Sequence, residues 1–183
     1  TNWFHNFKKR IEGLRKNEKM EILIGIEVKP VDFGGTLDCA QDILETAEII
    51  VGSVHRYPDG KNGLIPLNDI KELGENKSME IEFNLAMGLL KNEDNQIDVL
   101  GHPFGVYLRF FDSFKEKYFE ELFIESLKRG IAIEINAKYM PHDKKKLFEL
   151  LKKVNPYISI GSDAHNTEEI LISQEMLKQI KNS

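Results

Sequence analysis

Residues able to hold a metal recur where short apolar segments end. Glu27 closes Gly25-Ile26-Glu27, His55 closes Gly52-Ser53-Val54-His55, His102 follows Leu100-Gly101, and Asp163 and His165 stand in Gly161-Ser162-Asp163-Ala164-His165. Carboxylates and imidazoles suit zinc, manganese or iron, and a bridging carboxylate can hold two ions a few ångströms apart. Such a pair clamps a phosphoryl group and lowers the pKa of a shared water until it attacks at neutral pH. Asp163 and His165, one residue apart, can address neighbouring metal positions. The plainer readings are a hydrogen-bonded loop histidine at His55 or His102, a helix cap at Asp163, and a salt bridge from Glu27 to Lys29. A carboxylate ending an apolar strand is costly without a partner, and the recurrence at successive segment ends favours metal.

Other polar residues rank below these. Asn136 shares a strand face with Glu134 by the two-residue period, so it is a candidate to orient a ligand or substrate. Arg56 directly follows His55 and can contact a phosphate through two parallel N–H groups, with Lys29 and Lys138 as weaker candidates. His5 and His142 read as solvent-facing. Cys39 reads as packed on a helix, and Phe104, Tyr107, Phe110 and Phe111 as core or as the mouth of a pocket.

The elements that must position these residues alternate. Phe4, Phe7, Ile11 and Leu14 predict an amphipathic helix over Asn2–Arg15. Strands are predicted at 21–28, 49–54, 97–100, 131–135 and 157–160, each short and apolar as in a sheet covered on both faces. Between them fall helices from a Thr36 cap to about Ala47, over 79–90, from Asp112 or Ser113 to a stop at Gly130, over 143–154 and over 167–180. Segment 79–90 alternates like a strand, but its Glu, Leu, Ala and Met content favours helix. The stretch 56–77 is the longest irregular one, with one helical turn expected near Asp69. Strands joined by helical crossovers imply parallel pairing and an α/β fold, whose strand carboxyl ends share one face.

The 183 residues carry 25 basic and 30 acidic side chains, a net charge of -5, and a 41% hydrophobic share that is enough for a core. Residues 1–183 read as one domain. No apolar run approaches a membrane span. The single cysteine excludes an internal disulfide and every cysteine-based zinc cluster, and it fits a reducing cytoplasm. An acidic chain without a basic stripe is a poor nonspecific nucleic-acid binder, so a nucleic-acid end is possible but not favoured as substrate.

Taken in order, Gly25-Ile26-Glu27, Gly52-Ser53-Val54-His55, Leu100-Gly101-His102-Pro103, Glu134-Ile135-Asn136 and Gly161-Ser162-Asp163-Ala164-His165 resemble the PHP (polymerase and histidinol phosphatase) family over most of the chain. The resemblance implies a distorted seven-stranded TIM-like β/α barrel with two or three divalent ions (Zn, Mn or Fe) in its mouth, and hydrolysis of phosphoesters. Its opening His-x-His strand and the next strand have no counterpart here, so the domain is expected to be N-terminally incomplete. By resemblance, Glu27, His55 and His102 form one metal position, Glu27 and Asp163 share in a second, and His165 serves a third. The expected function is hydrolysis of a small phosphorylated substrate by a metal-bridged hydroxide, with Asp163 and His165 as catalytic residues and Arg56 and Asn136 binding substrate. The alternatives are a non-catalytic metal-binding or scaffolding module and a nuclease accessory domain. The sequence leaves oligomeric state open.

Overall fold

The computed structural model describes residues 2–16, 19, 21–61, 63–171, 173, 177 and 178. Five strands, β1 (Gly25–Val28), β2 (Ile49–Ser53), β3 (Val99–Gly101), β4 (Ala132–Asn136) and β5 (Ile158–Gly161), form one sheet in sequential order, and every neighbouring pair is parallel. Parallel neighbours require crossovers. Helices α2 (Gln41–Thr46), α3 (Ile70–Leu73), α4 (Glu75–Lys91), α5 (Gly105–Phe110), α6 (Glu116–Arg129) and α7 (Lys144–Val154) lie in those crossovers, and α1 (Asn2–Arg15) precedes the sheet. The described sheet is open, with β1 and β5 at its edges. The α/β expectation therefore stands, while the described strands do not close into a barrel.

One main core lies between the sheet and helices α4, α6 and α7, with Leu85, Leu89, Leu122 and Ile133 fully buried. A smaller cluster of Phe4, Ile24 and Ile43 seats α1 and α2. Arg15 and Glu48 reinforce that seat, their paired oxygens and nitrogens 3.0 and 2.6 Å apart, and the same carboxylate accepts the Ile24 N–H at 2.8 Å. Segment 79–90 is helical, inside a longer α4. Its apparent strand alternation arises because α4 is wedged between neighbours and buries a wide arc, from Ser78 and Met79 round to Leu89 and Leu90.

Several boundaries differ from the sequence reading. Thr36 does not cap α2; its N–H donates to Asp32 at 3.1 Å and its carbonyl accepts from Val31 at 2.8 Å, which closes a tight loop after β1. Cys39 consequently lies in the loop before α2 rather than on a helix, where it is partly buried against both cores. Helix α6 starts after Lys115 instead of Asp112 or Ser113, because Ser113 is drawn into a network with Tyr107 and Glu75. Asp143 and Gly130 behave as expected, the first capping α7 and the second ending α6 with φ 71°. The turn near Asp69 is present as Leu67–Asp69. The closing helix opens as a turn, Glu169–Leu171, introduced by Asn166, whose side chain accepts the N–H groups of Glu168 and Glu169, and Ser173, Leu177 and Lys178 beyond it are helical. Most of the expected helix beyond it falls outside the described residues. Phe104 and Tyr107 belong to the core, not to a pocket mouth.

The loop after β1 packs directly on α4 at paired glycines. Gly35 has φ +80°, and a Cβ on Gly88 would press on the Phe33 carbonyl and lie 3.0 Å from the Gly35 nitrogen. Gly88→Ala should therefore lower stability by about 1–3 kcal/mol. Gly13→Ala, on an exposed turn of α1 with open space around it, should raise stability by up to about 1 kcal/mol. Urea unfolding of the two variants checks the opposite signs.

Candidate metal centre and its cleft

Parallel register brings the strand ends level. Glu27 lies beside Val51, and Val51 beside Val99, so the loops leaving β2 and β3 begin next to the Glu27 side chain. Its Oε1 is 3.2 Å from His55 Nε2 and 3.1 Å from His102 Nε2, and the two Nε2 atoms are 3.2 Å apart. All three contacts cannot be hydrogen bonds at once when the imidazoles are neutral. If one ring donates to the other, the accepting nitrogen has no proton left for Glu27. A tetrahedral cation with bonds of ~2.0–2.1 Å sets its ligands ~3.3 Å apart, and one such ion makes every edge of this triangle favourable. The donor set, one carboxylate oxygen and two imidazole nitrogens, fits zinc, manganese or iron.

The electrostatics suit a cation. Burial disfavours the Glu27 carboxylate, but hydrogen bonds with His102 and His55 outweigh it and hold its pKa well below the usual carboxylate range. Burial also disfavours charge on His102, yet the Glu27 hydrogen bond and the nearby Glu134 raise its pKa. Lys29, the plainer partner for Glu27, instead pairs with Asp38.

His102 is held mainly through its backbone. Its N–H donates to Glu134 Oε2 at 2.6 Å, and its φ of 26° turns the chain sharply after β3. Burial pushes the Glu134 carboxyl up, against the pull of the His102 N–H. Gly161 on β5 leaves it room, because a Cβ there would strike the Glu134 carboxylate where it now lies. The imidazole, 7% exposed, lies against Gly105 and 4.9 Å centroid to centroid from Tyr139. Its buried Nδ1 has no hydrogen-bond partner among the described residues.

The triad forms the floor of a cleft of about 340 Å³ whose lining includes Arg56, Arg109, Tyr139, Asp163 and His165. A larger groove of about 520 Å³ between Phe33 and α4 holds Lys77, Lys91, Asn84 and Asn92 but no histidine or carboxylate. Of these two, the smaller cleft is the one that holds the ligand cluster.

Of the residues expected from sequence, Glu27, His55 and His102 form the cluster. Asp163 and His165 line the same cleft outside it. The Asp163 backbone, at φ 47°, turns its carbonyl to His165 Nδ1 at 2.9 Å and to the Lys138 ammonium, while the His165 side chain is 74% exposed. Arg56 reaches the cleft from its exposed rim. Asn136 sits behind it, buried, with Oδ1 accepting the Lys138 N–H at 2.9 Å, and it lines a small separate cavity with Pro103 and Phe119. Lys138 is committed to Glu169 at 2.7 Å, which pins the loop after β5. His5 and His142 form outlying surface contacts with Asp42 and Asp112.

Two cleft residues escaped the sequence reading, Arg109 and Tyr139. They support one another, with Arg109 donating to the Tyr139 hydroxyl at 3.2 Å and its guanidinium 5.7 Å from the ring centre. The available signal was the spacing of Arg109 after Gly101-His102-Pro103, but the short α5 that carries it has too little periodicity to register.

No family model matches the chain. It is similar to a probable phosphatase of Thermoanaerobacter sp. (strain X514), 28% identical over 175 residues that cover 92% of this chain and 62% of the relative. A probable phosphatase of Clostridium novyi (strain NT) is 26% identical over 197 residues, covering 97% of this chain and 68% of the relative. The chain thus spans less than two thirds of the length of the Thermoanaerobacter relative. Among solved structures, a histidinol phosphate phosphatase from Lactococcus lactis subsp. lactis, complexed with zinc, L-histidinol and phosphate, superposes with a TM-score of 0.66. The match is 17% identical and covers 98% of this chain and 73% of that one, so the likeness is one of fold.

Replacing a ligand of the triad should weaken zinc binding by more than the ~10–100-fold typical of outer-shell changes. Competition against a chromophoric chelator should show this for His55→Ala and His102→Ala. His142→Ala, an 89% exposed surface histidine, should bind zinc like the parent.

Proposed function

We propose that this chain carries the core of a metal-dependent phosphoesterase acting on a small phosphorylated substrate. The observation that supports it most is the Glu27–His55–His102 triangle on the floor of a cleft that also holds two arginines. The phosphatase names of the relatives and the zinc and phosphate bound by the structural neighbour agree with that chemistry.

In this reading the triad would hold one divalent ion. Asp163 and His165, one loop away on the same cleft, would hold further ions of a site of two or three. Bound ions supply a Lewis acid for the phosphoryl oxygens and a water of lowered pKa, the multinuclear chemistry of hydrolysis. Arg109, steadied by Tyr139, and Arg56 offer planar donors to the remaining phosphoryl oxygens and stabilise the charge that develops there. A water at the open rim beside His165 would protonate the leaving oxygen. Asn136 acts from behind, ordering the turn that carries Lys138 and Tyr139, in place of direct substrate contact. The open sheet is then an arc of a TIM-like barrel of the PHP type. No described helix is long and apolar enough to cross a membrane.

The test is metal content by elemental analysis together with manganese- or zinc-dependent hydrolysis of a generic aryl phosphate, on this chain and on a version extended to the relatives' length. Hydrolysis should require metal. Arg109→Ala and Arg56→Ala should each raise KM about tenfold or more, since a charge-assisted hydrogen bond is worth ~1.5–3 kcal/mol. Stoichiometric metal without turnover in the extended protein would overturn the enzyme reading and leave the scaffolding one.

A further inference from the structure

Glu82 on α4 is a fully buried carboxylate that lies outside the cleft lining. Its partners are all donors. Oε2 accepts the Tyr57 hydroxyl at 2.7 Å and the Tyr107 N–H at 2.6 Å, and Oε1 accepts the Val106 N–H at 3.1 Å. Tyr57 stands two residues beyond His55. Val106 and Tyr107 begin α5, four and five residues beyond His102 and one turn before Arg109. One side chain therefore ties together the loops that leave β2 and β3.

We propose that Glu82 is a positioning residue for the metal triad, a brace that fixes the separation of His55 and His102 and the aim of Arg109. This rests on the phosphoesterase reading for its purpose, though its first consequence is for metal affinity alone.

Three features carry it. A metal-bound histidine ordinarily has its ring oriented by a hydrogen bond from its second nitrogen, and the buried Nδ1 of His102 has no such partner among the described residues. The pose of that ring therefore depends on where the backbone puts it, between Glu134 on its own N–H and the first turn of α5 that Glu82 holds. Next, the position demands a carboxylate. Two backbone N–H groups and a phenol converge on its two oxygens, and an amide would turn an NH₂ toward a donor. Finally, the arrangement is expensive, because burial pushes the Glu82 carboxyl up to about 7 in spite of its donors. A core that needed only volume would be served better by an apolar side chain.

The test measures zinc affinity by chelator competition for the parent chain, Glu82→Gln, Tyr57→Phe and a core truncation on α7 outside the cleft lining, Leu150→Ala, all below their unfolding temperatures. Glu82→Gln should bind zinc ~10–100-fold more weakly, the range for lost outer-shell support. Tyr57→Phe, which removes one of the three donors and keeps the fold if Glu82→Gln does not, should lose affinity by a smaller factor of at least about threefold. Leu150→Ala should lower the unfolding temperature and leave zinc affinity as in the parent. If Tyr57→Phe, or a folded Glu82→Gln, binds zinc like the parent, the brace is overturned while the metal centre stands. If the parent itself binds no zinc or manganese, the phosphoesterase reading fails and the brace with it.

Discussion

The site depends on parallel register. In a sequentially wound parallel sheet every strand delivers its carboxyl end to the same side, so residues distant in sequence meet without any loop having to reach far. Glu27 is the pivot because it is still within β1 when the neighbouring chains turn. The loops beyond β2 and β3 fold over it and present His55 and His102 to a single carboxylate oxygen. A shift of one residue in β1 would send that carboxylate to the opposite face of the sheet.

Holding the triangle requires small residues nearby. Gly161 leaves room for Glu134 to reach the His102 N–H, and Gly105 lets the His102 ring approach the start of α5 closely. Gly101 is similarly confined by Ser53 and Val51 of the adjacent strand. These positions allow close approach and make the centre tight on its inner side, with His102 nearly buried, while His55 and Glu27 remain open to the cleft. An ion held there would be gripped from below and exposed to a substrate from above.

Much of this was legible in the sequence. The strands and their order follow from short apolar runs separated by helical patterns, and Glu27, His55 and His102 were identified by their places at the ends of those runs. What was missed has a common physical origin. Helix α5 is six residues long, below the length at which periodicity speaks, so Arg109 had no face to be assigned to. Thr36 and Ser113 have the side chains of helix caps but are used in tertiary contacts. Strand period correctly placed Glu134 and Asn136 on one face; it could not say that this face meets the cleft only through the His102 backbone.

Two kinds of carboxylate therefore serve the same centre. Glu27 stays open to the cleft, and the desolvation it does suffer is offset within the site by its two histidines. Glu82, fully buried, and Glu134, half-buried, lie behind it and are offset by backbone N–H groups of the very segments that carry His102 and Arg109. The separation matters because carboxylates crowding the ion itself would compete as ligands, whereas carboxylates bound to main chain can only fix geometry. With α4 as a rigid buried support, that geometry is transmitted through packed backbone instead of through flexible side chains. The acidic residues behind the cleft thus set where the loops stand, and the basic residues at its rim are left to meet an anion.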